Sequence, residues 1–411
     1  LQRGLVDEVV APEALVDAAV AAARRFTTGE LNVKARATRN RHLWIPSTAE
    51  KKAVMNFTKA MVGAQSKGYI APLKAVEAID KGLSYDMDKD LEREVALFAD
   101  CVVSDVAKNL IGIFLNTRAA GRLERIEGIE SAGIRKVAML GGGVMGSGIV
   151  NLLLKSGCET ILWDINEAAL EKGVASVRKT FAFPIKKRKM KQEDLENMLE
   201  KQFKTTTELK DLDGVDLVIE AVVEDMAIKQ NIWKALEGIC PSHTVFATNT
   251  SALPITEMAS ALSEPGRMIG LHFFNPAHRM MLLEIICAGQ TSNQTLATSV
   301  AFGRQIKKIP IVVNDGPGFY VSRQLGGLMG GAVYLTADGV DGSAVEQAML
   351  NFGMPMGPAT LSDLTGIDIN YHVNKTFEKR LGERYKVHPL TELVYNTGCY
   401  GRKTGAGYMD Y

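Results

Sequence analysis

Cysteine is scarce in this chain: five in 411 residues, at Cys101, Cys158, Cys240, Cys287 and Cys399, far apart and odd in number. There is no C-x-x-C pair and no Cys/His cluster with zinc spacing, which speaks against a disulfide framework and a structural metal. A reducing compartment is the simplest expectation. Charge bias is also missing. The formal net charge is +1, so nothing overall argues for nucleic acid or an acidic surface as partner. No apolar stretch is long enough to span a bilayer. No signal-peptide pattern opens the chain, and its first residue is Leu1 rather than Met, so it reads as a fragment of something longer. No internal repeat stands out. What is present is an ordinary globular balance, 46% hydrophobic and 23% charged, over a length that suits two or three domains.

The most informative stretch is Lys136-Val-Ala-Met-Leu-Gly141-Gly142-Gly143-Val-Met145-Gly146-Ser-Gly148. A short apolar run leads into glycines and then into a helix-like segment. Gly141, Gly143 and Gly146 fit the G-x-G-x-x-G spacing, which supplies a tight turn, a bare backbone facing a pyrophosphate and close helix–strand packing. The helix N-terminus beyond offers unpaired N–H groups to phosphates. Spacing alone is equally consistent with a plain glycine turn. Thr160-Ile-Leu-Trp-Asp164 adds a second strand ending in a carboxylate about twenty residues on, where an acid binds the ribose hydroxyls of NAD. No Arg or Lys follows at Ile165, Asn166 or Glu167, so NAD is favoured over NADP.

Four sections are expected. Residues 1–29 hold an apolar run, Gly4 to Val10, and an Ala-rich helix from Glu13 to Arg25. Residues 30–133 form a helical connector, with helices over Lys51 to Ala64 and Asp90 to Leu115. In residues 134–314 strands alternate with helices, which predicts a doubly wound α/β sheet. Its expected strands are Val137–Leu140, Thr160–Trp163, Asp216–Glu220, Val245–Thr248, Met268–Phe273, Leu282–Cys287 and Ile311–Val313. Residues 315–411 are expected to form an all-α domain.

Ligands of an open sheet bind at the carboxyl ends of its strands. Three segments fall there: Glu220-Ala-Val222-Val223-Glu224 with Lys229 beyond, Asn249-Thr250-Ser251, and His272-Phe-Phe-Asn275-Pro276 followed by Glu284. His272 and Glu284 are symmetric about His278, so a hairpin would oppose them, with Cβ atoms about 5 Å apart. The carboxylate would then hold one imidazole nitrogen and leave the other free to take a hydroxyl proton as hydride leaves the same carbon. The plainer alternative is a strand-end histidine bonded for reasons of fold. Ser251 is readable as a helix cap and Asn275 as an Asn-Pro turn. Glu224 and Lys229 are readable as a surface pair, and Glu220 as a buried structural acid. The run Lys186-Lys187-Arg188-Lys189 is either a solvated helix face or a clamp for phosphates of a second ligand.

These segments occur in one order: Gly-Gly-Gly-Val-Met-Gly, Val-Val-Glu-Asp, Thr-Asn-Thr-Ser, Leu-His-Phe-Phe-Asn-Pro, Leu-Leu-Glu-Ile-Ile, Asp-Gly-Pro-Gly-Phe and Gly-Arg-Lys-Thr-Gly-Ala-Gly-Tyr. In that order they resemble the L-3-hydroxyacyl-CoA dehydrogenases, from about Ile134 to Tyr411. Residues 1–29 resemble the tail of a crotonase-like enoyl-CoA hydratase. Residues 30–133 look like the linker of multifunctional fatty-acid oxidation enzymes. The resemblance implies a Rossmann-like sheet, an all-α C-terminal domain, NAD as cofactor and an acyl-CoA thioester as substrate. It implies a base at His272, its orienting acid at Glu284, and contacts from Ser251 and Asn275 near the reacting carbon. Met145, Asp164, Val222, Val223, Glu224 and Lys229 match cofactor-contacting positions. Lys186 and Lys187 fall where the CoA phosphates are expected. Ser322 stands where many members have Asn, and its hydroxyl reaches less far. The hydratase glutamates and a second helical copy would belong to the parent protein, which resembles a lyase as well as an oxidoreductase. A homodimer through the helical domain, a thiolase partner for the parent, and a bacterial cytoplasm, mitochondrion or peroxisome are further expectations. The contrary reading is a non-catalytic, structural relative that keeps the NAD fold.

Overall fold

The computed structural model of the chain describes residues 8–30, 47–66, 68–82 and 86–411. Most of the apolar run from Gly4 lies outside them. The chain divides into two compact units, residues 1–112 and 113–411.

The first unit is helical in its described residues. Helix α1 (Leu15–Thr27) follows a 3-10 turn begun by Pro12, and so starts and ends two residues later than the sequence pattern suggests. Helix α2 (Thr48–Gln65) opens on a capping box, in which Ser47 and Glu50 bind each other's backbone N–H. Helices α3 (Ala71–Lys81) and α4 (Met87–Val102) pack against one another, with Lys74 bound to Asp100 at 2.9 Å. The single helix expected over Asp90 to Leu115 is two. The chain breaks at Val103, and Ser104 Oγ accepts from Ala107 N to start α5 (Asp105–Ala119). The apolar period runs through this break undisturbed, which is why pattern alone misses it. The division between the units falls within α5.

The second unit is built on an eight-stranded sheet, in the order β3-β2-β1-β4-β5-β6-β7-β8. The strands are β1 (Lys136–Leu140), β2 (Glu159–Trp163), β3 (Phe203–Thr206), β4 (Leu217–Glu220), β5 (Val245–Thr248), β6 (Met268–Phe273), β7 (Leu282–Cys287) and β8 (Ile309–Asn314). All neighbours run parallel except β6 and β7, which form an antiparallel pair. Sequence pattern misses β3 altogether. It is an edge strand paired only to β2, and its Lys-Thr-Thr supplies no apolar alternation.

Helices cover both faces, so the central strands are apolar on both sides. Val137 and Met139 join Ile149, Leu153 and Phe302 on one face. Ala138 and Leu140 join Trp233, Phe246 and Met258 on the other. The Val, Ile, Leu, Met and Phe side chains among them each contribute roughly 1.5–3 kcal/mol by leaving water. The helices of the sheet layer are α6 (Val144–Lys155), α7 (Glu167–Thr180), α8 (Ala182–Lys186), α9 (Gln192–Gln202), α10 (Met226–Glu237), α11 (Ile255–Ala259) and α12 (Asn293–Gln305).

From Val321 the chain is helical: α13 (Val321–Ala337), α14 (Gly342–Phe352), α15 (Pro358–Thr365), α16 (Ile367–Leu381) and α17 (Pro389–Asn396). The glycine-rich tail is tied to α15. The buried Asp363 carboxylate accepts from Tyr408 N, Met409 N and Tyr411 OH, and a Cβ on Gly401 would lie 2.3 Å from Asp363 O.

Candidate functional site

The site is assembled from the carboxyl ends of β1, β2, β4, β5 and β6, all on one edge of the sheet. After β1, Gly141 takes φ +94°, and a Cβ there would press to 2.8 Å from Ala221 O. A Cβ on Gly146 would sit 1.8 Å from Gly141 O, so α6 can pack on the turn only with glycine at that position. Gly143 is the opposite case. Its φ is −65° and nothing lies within 4 Å of where its Cβ would be. The bare backbone there faces open space at a helix N-terminus, which is the cradle a pyrophosphate fills. Asp164, half-buried after β2, accepts from Gly142 N at 2.9 Å and from its neighbour Ile165 N. It braces the glycine turn and keeps lone pairs for ribose hydroxyls. These residues fit NAD.

A buried charge network stands behind the ends of β4 and β5. Glu220 is fully buried; its Oε1 accepts from Lys229 Nζ at 2.5 Å and Val222 N at 2.7 Å, and its Oε2 from Thr248 Oγ1 at 2.8 Å. Lys229 also reaches Glu224 at 3.2 Å, and Thr250 Oγ1 donates to Glu224. The surface-pair reading of Lys229 is therefore corrected: the side chain is 1% exposed. It lies on the inward face of α10, where a neutral residue would leave the buried Glu220 carboxylate without its counter-ion. Val222 is half-buried and Val223 exposed beside it. In sequence, the only sign of Glu220's place in this network is a charged residue at the end of an otherwise apolar strand.

At the end of β6, the antiparallel register places His272 opposite Glu284. His272 Nδ1 lies 2.7 Å from Glu284 Oε2. Glu284 is fully buried and His272 is 7% exposed. The carboxylate can only accept, so Nδ1 carries the proton and Nε2 of the neutral ring is the basic nitrogen. Nε2 has no hydrogen-bond partner among the described residues. Phe274 and Phe319 flank the ring, with centroids at 4.6 and 5.8 Å. Glu284 Oε1 in turn accepts from Tyr320 N at 3.1 Å and Val321 N at 2.9 Å, where α13 begins. The segment Gly316-Pro-Gly-Phe319 makes this approach. Phe319 is at φ +49°, and a Cβ on Gly318 would overlap the Phe377 ring.

Ser251 is not a helix cap. Asp315, after β8, takes Ile255 N at 3.0 Å and Thr256 N at 2.7 Å instead, and Thr250 holds the turn through Leu253 N. Ser251 is left half-buried, with no side-chain hydrogen bond among the described residues. Asn275 is exposed and precedes a cis peptide to Pro276. Asn249 joins the ends of β5 and β6 by accepting from Phe273 N at 2.9 Å. Met145 is half-buried in the first turn of α6. Ser322 is half-buried in the first turn of α13. Lys186 and Lys187 are exposed at the end of α8, and the Lys187 ammonium lies 6.0 Å from the Phe183 ring. Among the described residues no group of three or more His, Cys, Asp or Glu could hold a metal ion, and no helix is long and apolar enough to cross a membrane.

A sheet of this topology with such an edge is that of a dinucleotide-dependent oxidoreductase. Comparison with known proteins narrows the class. Residues 136–316 match the NAD-binding domain of 3-hydroxyacyl-CoA dehydrogenase, and residues 318–411 match its C-terminal domain. The chain is 36% identical over its whole length to a protein of Shewanella baltica named fatty acid oxidation complex subunit alpha, of which it covers 58%. A Shewanella oneidensis protein of the same name is 39% identical over 84% of the chain and 49% of that protein. The chain thus spans about half the length of these relatives. Among solved structures, the (S)-3-hydroxybutyryl-CoA dehydrogenase of Ralstonia eutropha superposes with a TM-score of 0.65 and 35% identity, over 68% of this chain and 99% of that one. The 3-hydroxybutyryl-CoA dehydrogenase of Escherichia coli K12 gives a TM-score of 0.65 at 29% identity, over 68% and 60%. The chain belongs to the 3-hydroxyacyl-CoA dehydrogenase family. It is an NAD-dependent oxidoreductase.

Proposed function

We propose that the chain oxidises (3S)-3-hydroxyacyl-CoA to 3-ketoacyl-CoA within fatty-acid β-oxidation, with His272 as the base. One observation carries the reading: the His272 Nδ1–Glu284 Oε2 contact of 2.7 Å, which leaves Nε2 basic and unengaged. His272 Nε2 takes the hydroxyl proton. Glu284, held by two backbone N–H groups on its other oxygen, stabilises the imidazolium that forms. Bound NAD supplies the hydride acceptor. Ser251 and Asn275, whose side chains have no hydrogen-bond partner among the described residues, position the substrate oxygen and the cofactor. Gly141, Gly143, Met145 and Gly146 hold the pyrophosphate, Asp164 the ribose. Val222, Val223 and Glu224 line the cofactor's path, and Lys229 acts through Glu224. Lys186 and Lys187 are assigned to the CoA phosphates and Ser322 to the thioester arm. The braced imidazole speaks against the non-catalytic reading.

His272→Gln tests this. NADH binding, read by fluorescence, should survive, while acetoacetyl-CoA reduction at 340 nm falls by about a hundredfold or more. Turnover at the parent rate would remove His272 from the role of base.

We further propose, from the resemblance of its segments, that residues 1–29 are the tail of a hydratase domain, 30–133 a linker, 134–314 the NAD-binding domain and 315–411 the helical domain. Hydration of enoyl-CoA and association with a thiolase would then belong to the parent protein. The five free cysteines suit a reducing intracellular compartment, whether bacterial cytoplasm, mitochondrion or peroxisome. Helix α13 has no fully buried residue and exposes Leu328, Tyr334 and Leu335, with Phe352 of α14 83% exposed. This apolar face is where a second copy of the chain would dock. Sedimentation as a monomer at micromolar concentration would count against the homodimer.

A further inference from the structure

The turn between β6 and β7 carries Asn275 and is gripped from two sides. Arg279 N and Met280 N both return to Pro276 O, at 2.9 and 3.1 Å, so residues 276–280 form a single helical turn. On one side Ala277, 1% exposed, lies against the dinucleotide helix: a Cβ on Gly148 would be 3.1 Å from the Ala277 Cβ. On the other side stands Lys308, 6% exposed, where α12 turns into β8 through Lys307 at φ +60°. Its ammonium donates to Ala277 O at 2.6 Å and to Met280 O, and Ile309 N closes on Met281 O at 2.8 Å. No ion pair engages Lys308 among the described residues. A buried ammonium is costly to keep without a carboxylate, and here two peptide carbonyls at the C-terminal end of a turn take that place.

We propose that Lys308 is a positioning residue for the reaction: it fixes the 276–280 turn against α6 and so sets where Asn275 meets the substrate. The assignment rests on the role proposed for Asn275. A misplacement of about 1 Å at a positioning group can cost up to a hundredfold in rate, and a single helical turn needs an anchor of this kind to hold that tolerance. The titratable and charged groups around the turn are His278 and Arg279 from the turn itself and Lys155 from α6. No carboxylate is among them, and burial with these cations holds the His278 imidazole below its ordinary value. Burial alone lowers the Lys308 ammonium to about 8. The grip therefore loosens above that pH, as the charge that strengthens both hydrogen bonds is lost.

The test compares Lys308→Met, Lys308→Arg, Asn275→Ala and the double variant Lys308→Met/Asn275→Ala in acetoacetyl-CoA reduction, with NADH binding read by fluorescence. Lys308→Met should lower kcat about tenfold with NADH affinity within about twofold. Lys308→Arg should restore most of it and move the alkaline decline of kcat upward from about pH 8. The double variant should be no slower than Asn275→Ala, because the two act in series. Full activity of Lys308→Met, or losses that multiply in the double variant, would overturn the proposal while leaving Asn275 in place. A parent-like Asn275→Ala would instead overturn the role of Asn275. If Lys308→Met does not fold, Lys308→Arg still decides: a slow enzyme with the alkaline limb unmoved rejects the assignment.

Discussion

Glu284 holds His272 with one carboxylate oxygen and the start of α13 with the other, Oε2 at 2.7 Å from Nδ1 and Oε1 at 3.1 and 2.9 Å from Tyr320 N and Val321 N. One buried acid thus orients the imidazole and anchors the helical region to the sheet. Glu284→Gln should keep the volume but supply one acceptor oxygen where the His272 ring N–H and the Tyr320 and Val321 N–H groups need two. We expect kcat to fall by about a hundredfold or more, NADH binding to stay near the parent value, and the helical region to be digested faster in limited proteolysis. Loss of turnover with unchanged proteolysis would separate the two tasks and sink the claim that they are joined.

The glycine turn gives a contrast between neighbours. Gly143→Ala meets nothing within 4 Å, whereas Gly146→Ala would drive a Cβ to 1.8 Å from Gly141 O. The first variant should fold with near-parent Tm yet bind NADH weakly, since the added methyl fills the cradle. The second should lose Tm or fail to accumulate. Equal Tm values for the two would contradict this division of tasks.

Lys229→Met should leave the buried Glu220 carboxylate without its counter-ion. Breaking a buried pair from one side costs about 3–5 kcal/mol, measurable as a lower urea midpoint at unchanged m-value. A stability within about 1 kcal/mol of the parent would mean that water reaches the site.

Cys101 and Cys399 are partly exposed; Cys158, Cys240 and Cys287 are buried. Burial pushes all three buried thiols up, Cys240 to about 11. At pH 8 a thiol reagent should titrate two groups quickly and the others only on unfolding. Because the Cys240 thiol is raised when folded, its contribution is full below about pH 9 and is lost as pH rises through 11. Cys240→Ala should flatten the fall in Tm over that range, and an unchanged slope would remove Cys240 as its source.

Some of this was legible residue by residue. The glycine spacing, Asp164 at the end of its strand and the symmetry of His272 and Glu284 about His278 all follow from local periods, because side chains alternate strictly along a strand. The break at Val103 was not legible, because Ser104 as a cap is one serine among many. Edge strand β3 was missed because a strand with one neighbour needs little apolar alternation. The cap alternative for Ser251 falls because Asp315, sixty-odd residues on, takes Ile255 N and Thr256 N instead.

The sequence by itself determined most of the elements, their order and the chemistry available at the strand ends, since these depend on neighbours within a turn or two of the chain. Only the tertiary structure decided which groups share a charge or a hydrogen bond: Glu284 with α13, Glu220 with Lys229, Lys308 with the Asn275 turn. Such pairings join residues brought together by the winding of the sheet, and a buried polar group's cost is set by whatever partner that winding delivers.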